Sequence, residues 1–478
     1  MPDMDLDHDT CYRAVQSRDP RFDGRFFTGV RTTGIYCRSV CPAVTPRARN
    51  VEFFPCAAAA EQAGFRPCRR CRPETAPGTP AWQGTSATVS RALRLIDEGA
   101  LDGGSVADLA ARLGLGSRQL GRLFRAHLGA TPVAVAQTRR VHFARNLLAG
   151  STLPMTQVAL AAGYGSLRRF NAAVRATFGA APGELRRRAG TRAAAPLLTA
   201  RLPVRPPYAW AELLAYLRGR AIAGVEEVDG DTYRRTVAWG GRPGVIAVSP
   251  GGPDHLVLEA DLEGPAGAVA LVARVRRMFD CDADPRVIAA HLGGDPLLAG
   301  SLRRRPGLRL PSGWDPFEMA VRAVVGQQVS VAAASTVTGR LARRAGTPLP
   351  AARGGLTHLF PLPATLAAAD LGGLGLNSRR QATLVGLARA VAAGEVDLSA
   401  PLGPEDLVAR LVALPGIGPW TAQYVAMRAL GEPDAFPAGD LGLLKAAPGI
   451  DLAARAESWR PWRAYAALHL WASLGDDP

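Results

Sequence analysis

The chain has 478 residues, 47% of them hydrophobic, which suits about three folded domains and excludes a disordered chain. A net charge of +16 favours an anionic polymer as partner, although Lys445 is the only lysine and a GC-rich genome produces the same excess of arginine. The first ten residues are acidic and polar and no apolar run is long, so we expect no secretory signal, membrane span or membrane partner.

Four of the seven cysteines form two close pairs, Cys37-x3-Cys41 and Cys68-x2-Cys71. Two such pairs are what a tetrahedral zinc site with four thiolate ligands requires. In a chain without a secretory signal they indicate a metal rather than disulfides, and spacing alone predicts a structural zinc ion. The other cysteines are predicted to be ordinary buried thiols: Cys11, Cys56 and Cys281.

The residues around these pairs, RTTGIYCR at 31–38 and AGFRPCRRCRP at 63–73, closely resemble the N-terminal domain of the Ada adaptive-response family. The resemblance covers residues 1–73 and implies one Zn²⁺ and a methyl transfer from a DNA methylphosphotriester to Cys37. Zinc keeps a thiol deprotonated, and methylation removes one negative charge, so DNA affinity should rise after a single turnover. Six arginines would lie along DNA phosphates: Arg38, Arg47, Arg66, Arg69, Arg70 and Arg72.

Residues 85–190 contain two helix-turn-helix patterns, after a Pro/Gly linker over Glu74–Gly84. In the first pattern, one helix begins at Val106 and a second begins at the N-cap Ser117. The second pattern begins at Met155, and a helix over Ala134–Leu148 joins the two. The A-x-x-x-G-Y-x-S-x-x-x-F core at 159–170 resembles the AraC-type DNA-binding domain. Candidate contacts to bases or phosphates, which sequence does not separate, are Ser117, Arg118, Gln119, Arg122, Arg168 and Arg169. A second linker is predicted over 189–196.

Residues 197–305 alternate between apolar and polar positions, with Asp-Gly and Gly-Gly turn signals between the segments. The predicted strands are Leu198–Leu202, Gly224–Val228, Tyr233–Ala238, Gly244–Val248 and Leu256–Leu262. The predicted helices are Trp210–Arg218 and Gly267–Phe279. This order predicts an α+β domain with an antiparallel sheet, which resembles the N-terminal domain of the AlkA alkylpurine glycosylase family; we expect it to act as a scaffold.

Residues 306–478 have helical periodicity and contain LPGIGPWTA at 414–422, in which two glycines form a tight turn before a helix. The free N–H groups of such a helix suit one phosphate. The motif resembles the helix–hairpin–helix of the DNA glycosylase superfamily, in which an aspartate follows; Asp440 occupies that place. The resemblance implies DNA contacts at Gly416, Gly418 and Thr421, and a monovalent cation at the hairpin is a further expectation. The alternative is an αα-turn with a surface acid.

Excision of an alkylated base requires a wedge, an aromatic pocket for a cationic base and a carboxylate beside the sugar. The resemblance to AlkA places Gln328 at the wedge and Asp440 as the carboxylate. The pocket aromatics would be Trp420, Tyr424 and Trp471, for each of which core packing is the alternative. A base that is already cationic demands no general acid.

Two absences refine the expected reaction. Trp420 stands where strand-nicking relatives have a lysine, so a Schiff-base lyase is not expected. No cysteine follows Cys281, which excludes an iron–sulfur cluster in the C-terminal part.

The sequence therefore predicts a multidomain, mainly α protein with α+β parts: a small zinc domain (1–73), a tandem helix-turn-helix domain (85–190), an α+β sheet domain (197–305) and an all-α glycosylase domain (306–478). We expect a cytoplasmic, nucleoid-associated bacterial protein that acts on double-stranded DNA with alkylation damage and on promoter DNA. Two alternatives stay open: a methyl-activated transcription factor with a secondary or inactive glycosylase domain, and an N-terminal half that only tethers the glycosylase to DNA. Oligomeric state is not predicted.

Overall fold

The computed structural model describes residues 7–76, 87–151, 153–189, 198–262, 264, 267–398 and 404–475. The chain packs as two compact units. Unit 1 contains residues 1–205, 255–274 and 281–283, and unit 2 contains residues 206–254, 275–280 and 284–478. Most of the first predicted linker and nearly all of the second lie outside the described residues, and the four domain boundaries stay a prediction.

The N-terminal part of unit 1 is built on a four-stranded sheet of order β3–β1–β2–β4. Its elements are α1 (His8–Gln16), β1 (Phe27–Val30), β2 (Ile35–Cys37), β3 (Val51–Phe54), α2 (Ala57–Gln62) and β4 (Arg66–Pro67). Strands β2 and β4 are parallel, with Tyr36 opposite Pro67. Because neighbouring parallel strands end at the same edge, Cys37 and Cys68 emerge side by side.

Seven helices follow in unit 1 and confirm both predicted helix-turn-helix patterns. They are α3 (Ala87–Asp97), α4 (Val106–Arg112), α5 (Ser117–Leu128), α6 (Pro132–Gly150), α7 (Met155–Ala161), α8 (Leu167–Phe178) and α9 (Pro182–Ala189). The predicted N-cap was wrong by one residue: Gly116 caps α5 without a side-chain hydrogen bond, and Ser117 is the first helical residue. Ser166, by contrast, caps α8 by accepting from the N–H of Arg169 at 3.2 Å.

Helix α2 and the first helix-turn-helix unit share one hydrophobic core. Ala58 and Ala59 of α2 pack with Leu120 and Phe124 of α5, all of them buried. The cysteine-bearing segment and the helices are therefore held together by apolar packing as well as by the chain between them.

The five predicted strands and two predicted helices of residues 198–278 are all present. They are β5 (Leu198–Pro203), α10 (Trp210–Arg220), β6 (Glu226–Asp229), β7 (Thr232–Trp239), β8 (Arg242–Gly252), β9 (His255–Asp261) and α11 (Ala268–Met278). In unit 1, β5 pairs antiparallel with β9. In unit 2, β6, β7 and β8 form an antiparallel meander. Gly230, Gly240 and Gly241 have positive φ at its turns, as two-residue hairpins require.

The rest of unit 2 is mainly helical: α12 (Pro285–Leu292), α13 (Pro296–Arg304), α14 (Pro316–Val325), α15 (Val331–Ala345), α16 (Pro363–Ala367), α17 (Ser378–Ala392), α18 (Pro404–Val412), α19 (Pro419–Leu430), α20 (Leu441–Ala446), α21 (Leu452–Ala456) and α22 (Arg463–Ser473). A short hairpin that was not predicted interrupts them, β10 (Pro348–Arg353) with β11 (Leu356–His358). Its turn contains Gly354-Gly355, a signal that was available in the sequence. Among the described residues, no helix combines the length and apolarity that crossing a membrane demands.

A buried ion cluster joins the meander to α14. Arg235 donates to Glu318 at 2.7 Å, and Arg322 contacts Glu318 at 2.8 Å and also Glu226. All four side chains are mostly buried, so each charge depends on its partners, and removal of one would leave the others uncompensated. The cluster fixes α14, and Gln327 and Gln328 lie in the turn that follows this helix.

Candidate active site and metal centre

The carboxylate of Asp440 is held from two sides in unit 2. Asp440 caps α20, and its Oδ1 accepts from the backbone N–H groups of Gly442 at 2.9 Å and Leu443 at 3.1 Å. The same oxygen accepts from the indole Nε1 of Trp471 at 2.7 Å, and Oδ2 accepts from the Nε1 of Trp420 at 3.0 Å. Four donors thus fix the orientation of one acidic side chain at the wall of a cavity.

The cavity has a volume of about 650 Å³, and Asp440 lines it with all three predicted aromatics. Trp420 and Tyr424 stack with ring centroids 5.7 Å apart and planes 20° apart. Each of the three rings is only partly buried, so they face the cavity rather than the core. A volume of this size with aromatic walls suits one flipped base.

Three further residues line this cavity and were missed from the sequence. The guanidinium of Arg220 lies 4.0 Å above the ring centroid of Tyr216. That of Arg428 lies 4.8 Å from the same ring and 5.6 Å from the rings of Tyr424 and Trp471. Arg428 follows Tyr424 by four residues on one helix face, so its place was predictable, whereas nothing local relates Tyr216 to the hairpin.

Burial and the two guanidinium groups act on the tyrosines in opposite directions. Burial raises the pKa of Tyr424 to about 12. Burial also acts to raise the pKa of Tyr216, but Arg428 and Arg220 outweigh it, so the pKa of Tyr216 lies below its ordinary value. The two neighbouring phenols therefore differ in acidity.

The two glycines of the hairpin differ in what they require. Gly416 has a φ of +87°, and a Cβ there would lie 2.0 Å from Oγ1 of Thr383, so no other residue fits. Gly418 has a φ of −89° and is the N-cap of α19, so this position does not require the left-handed backbone that glycine allows. A Cβ at Gly418 would meet nothing within 4 Å; this side of the hairpin is open.

Thr421 and Gln328, both predicted to contact DNA, are oriented differently. The side chain of Thr421 is buried, and its hydroxyl accepts from Nε2 of Gln327 at 3.0 Å, so only its backbone can face a phosphate. Nε2 of Gln327 also donates to the carbonyl of Gly416 at 3.0 Å and thereby ties the turn after α14 to the hairpin. Gln328 is exposed and has a φ of +55°.

In unit 1 the sulfur atoms of Cys37, Cys41, Cys68 and Cys71 all lie within 4.8 Å of one another. A tetrahedron with Zn–S bonds of about 2.3 Å has S–S edges of about 3.8 Å, and the sulfurs of Cys41 and Cys68 are 4.0 Å apart. Four thiolates this close would repel one another without a cation between them. The residues present therefore fit Zn²⁺, and the chain has a zinc site. Cys37 and Cys41 are partly exposed, whereas Cys68 and Cys71 are buried.

A cavity of about 550 Å³ opens at Cys37. Its walls come from the strands, from Arg66, Arg69 and Arg70, and from Thr177 and Phe178 at the end of α8. The second helix-turn-helix unit therefore contributes to the surroundings of the accessible thiol.

Three of the six arginines expected along phosphates have partners within the protein, and phosphate contact stays a prediction for all six. Arg69 donates to the carbonyl of Phe178 at 3.2 Å. Arg38 forms an ion pair with Asp23 and donates to the carbonyl of Cys71 at 3.2 Å and to Thr75 at 2.9 Å. Arg72 pairs with Glu74 at 2.9 Å. Arg38 therefore holds the metal-binding loops in place.

The six predicted helix-turn-helix contacts lie at the starts of α5 and α8. Ser117, Arg118, Gln119 and Arg122 are exposed on α5, and Arg168 and Arg169 are exposed on α8. Their role in DNA binding stays a prediction.

A polar network connects the residue before Cys37 to α6. Glu61 accepts from Tyr36 at 2.9 Å and from Thr138 at 2.6 Å, and it contacts Nε2 of His142 at 3.0 Å. Burial acts to raise the pKa of Glu61, but the neighbouring His142 outweighs burial, and the pKa of Glu61 is lowered. Burial acts to lower the pKa of His142, but Glu61 outweighs burial, and the pKa of His142 is raised. Glu61 precedes Thr138 by 77 residues and His142 by 81, and no sequence pattern links them.

Three family models match the chain in order. They describe the metal binding domain of Ada over residues 10–74, a helix-turn-helix domain over residues 109–188, and the AlkA N-terminal domain over residues 199–315. The 3-methyladenine DNA-glycosylase of Archaeoglobus fulgidus shares the fold over 57% of this chain and 96% of its own, with a TM-score of 0.50 at 22% identity.

Two curated relatives cover different shares of the chain. The DNA-3-methyladenine glycosylase 2 of Escherichia coli is 38% identical over 282 residues, 57% of this chain and 96% of that protein. The "Probable bifunctional transcriptional activator/DNA repair enzyme AlkA" of Mycobacterium tuberculosis is 45% identical over 485 residues, 98% of this chain and 97% of that protein. The chain belongs to the family of this AlkA-type bifunctional transcriptional activator and DNA repair enzyme.

Proposed function

We propose that unit 2 is a monofunctional DNA glycosylase that hydrolyses the N-glycosidic bond of alkylated purines such as 3-methyladenine. The observation that carries this proposal is the Asp440 carboxylate, which is fixed by two indoles at the wall of an aromatic cavity. Membership of the AlkA-type family supports it.

The residues divide the reaction between them. Gln328, exposed on its turn, would fill the gap that the flipped nucleotide leaves, and the backbone N–H groups around Gly418 would hold one phosphate. Trp420, Tyr424 and Trp471 would hold the cationic base. As the bond from C1′ to the base breaks, the bonding electrons go to the base, and Asp440 stabilises the positive charge that develops on the sugar.

Water is the nucleophile in this proposal. Trp420 stands at the place of the superfamily's lyase lysine and donates to Asp440, so no amine is available there for a Schiff base. Lys445, the only lysine, lies in the last turn of α20. An oriented carboxylate can accept the proton of the water that adds to C1′.

We further propose that unit 1 accepts one methyl group on Cys37. The sulfur of Cys37 would attack the methyl carbon of a DNA methylphosphotriester, forming an S–C bond while the C–O bond breaks and the phosphodiester anion leaves. A bound Zn²⁺ supplies a thiolate at neutral pH. Cys37 is partly exposed at a cavity that Cys41 and Cys68 also line, which supports methyl transfer at this site, and the match to the metal binding domain of Ada supports Cys37 as the acceptor. The exposed residues of α5 and α8 support promoter binding as the second function.

The proposal is tested by incubating the purified full chain with methylated duplex DNA. We expect free methylated purine and an abasic but unbroken strand. Strand cleavage without added base would indicate a lyase. Absence of released base, together with promoter binding that tightens after methylation, would favour the regulator with an inactive glycosylase domain. Methyl transfer to the wild type that is lost in Cys37→Ala would exclude a purely tethering role for unit 1.

A further inference from the structure

Tyr216 lines the cavity, but the excision of a cationic base gives its hydroxyl group no role. It lies on α10, far in sequence from the hairpin, yet it lines the same cavity as Trp420, Trp471 and Asp440. A ring there contributes stacking, but a phenylalanine would do that equally well. The hydroxyl of Tyr216 therefore needs its own explanation.

The ring of Tyr216 lies between two guanidinium groups, 4.0 Å from that of Arg220 and 4.8 Å from that of Arg428. Arg428 is 1% exposed, and among the residues that the structure describes no carboxylate lies within 4.0 Å of it. Its Nε also has no hydrogen-bond partner there. A buried cation normally has a carboxylate beside it, whereas this one donates from Nη1 to the carbonyl of Pro311 at 3.1 Å and otherwise faces aromatic rings.

Two guanidinium groups stabilise a phenolate more than a phenol. They lower the pKa of Tyr216 against the effect of burial, as described above. The other ionisable groups that line this cavity are of both signs. The cations are Arg322 from α14, Arg305 and Arg309; the acids are Glu212 from α10, Asp440 at the start of α20 and Glu226 from β6, which is paired with Arg322; and Tyr424 lies on α19. The net surroundings of Tyr216 are therefore cationic.

Neutral modified purines pose a problem that cationic ones do not. A cationic base leaves as a neutral molecule, whereas a neutral base leaves as an anion unless a proton reaches one of its ring nitrogens. A positioned acid contributes roughly 10²–10⁴-fold to such a step. The phenol of Tyr216, which lies within hydrogen-bonding reach of the phenol of Tyr424, is a hydroxyl donor in the cavity with no role in the excision of a cationic base.

We propose that Tyr216 is the general acid for neutral modified purines in this cavity, with Arg220 and Arg428 holding the phenolate that results. In this step the O–H bond of Tyr216 breaks, and an N–H bond forms on the leaving base as the bond to C1′ breaks. Water then adds to C1′ and gives its proton to Asp440; Asp440 releases this proton to solvent, and solvent reprotonates the phenolate. The proposal rests on the glycosylase function and extends it to bases without a positive charge.

The test compares Tyr216→Phe with the wild-type full chain on two substrates: duplex DNA that contains one hypoxanthine, a neutral purine, and methylated duplex DNA. We expect hypoxanthine release under single-turnover conditions to fall by about 10²-fold, while release of methylated purine changes less than about twofold. With rising pH, hypoxanthine release by the wild type should fall as Tyr216 ionises. The residual rate of the variant should not show that fall.

Tyr208→Phe is the matched control, because Tyr208 also lies beside a guanidinium, 4.5 Å from that of Arg309, but does not line the cavity. It should leave both reactions unchanged. An equal fall on both substrates in Tyr216→Phe, unchanged hypoxanthine release, or a wild type that releases methylated purine but no hypoxanthine would overturn the proposal. A wild type that releases no methylated purine would instead overturn the glycosylase function itself.

Discussion

The zinc site and the base cavity hold their reactive groups by different means. In unit 1, four ligands come from two short segments, and one pair of parallel strands brings those segments together. In unit 2, Asp440 is held by indoles 20 and 31 residues away, and the cavity extends to α10. A local site can tolerate change elsewhere in the fold, whereas a site assembled from distant elements depends on how several helices pack.

The largest expected effect concerns Cys37. Cys37→Ala should abolish methyl transfer from a methylphosphotriester, because the sulfur of Cys37 is the proposed acceptor, and Cys41, which is also partly exposed at this cavity, would serve only as a ligand. Transfer is measured with radiolabelled methylated DNA. Cys56→Ala is the control, since the thiol of Cys56 donates to the carbonyl of Leu128 at 3.1 Å and is not a ligand. Full methyl transfer to the Cys37→Ala protein would contradict the assignment of Cys37 as the methyl acceptor.

The indole donors of unit 2 give the next largest effect. Trp420→Phe keeps a ring for stacking but removes the 3.0 Å hydrogen bond to Oδ2 of Asp440. A hydrogen bond to a charged group contributes about 1.5–3 kcal/mol, so we expect base release to slow by about tenfold or more. DNA affinity should change little. An unchanged rate would show that the indole does not orient the carboxylate.

The hairpin glycines separate stability from DNA binding. Gly416→Ala should lower the free energy of unfolding of unit 2 by roughly 1–3 kcal/mol, because it combines a φ of +87° with a clash against Thr383. Gly418→Ala should leave stability unchanged and weaken DNA binding, because only the approach of DNA is obstructed. Chemical denaturation and DNA titration check both. Equal effects of the two substitutions on stability would contradict this division.

The smallest expected effect is a pH dependence in unit 1. The pKa of His142 is raised above its ordinary value of 6.5, so the stabilisation from its contact with Glu61 is complete below that value and is lost as the pH rises through the raised pKa. Glu61→Gln should therefore lower the protection of α6 against hydrogen exchange by about 1–2 kcal/mol at pH 6 and by less at pH 8.5. A loss of protection that is larger at pH 8.5 than at pH 6 would contradict a stabilising contact between Glu61 and protonated His142.

The same contrast explains what could be predicted from the sequence. The four cysteines, both helix-turn-helix patterns and the strands of residues 198–261 follow from local spacing, alternation and turn residues, and the structure confirms them. Asp440 and the aromatics were identified only because a motif orders them along the chain. Tyr216, Gln327 and the Glu61–His142 contact depend on which helices pack together, and no local pattern encodes that.

The central claim is that the carboxylate of Asp440 carries base excision, and the most direct test is single-turnover excision by Asp440→Asn with DNA affinity measured in parallel. Asn keeps the size of the side chain, so binding should be retained while excision falls by about 10²-fold or more. Asp451→Asn is the control, because Asp451 caps α21 by two backbone hydrogen bonds of 3.1 Å in the same manner and does not line the cavity. Wild-type excision by Asp440→Asn would contradict the claim.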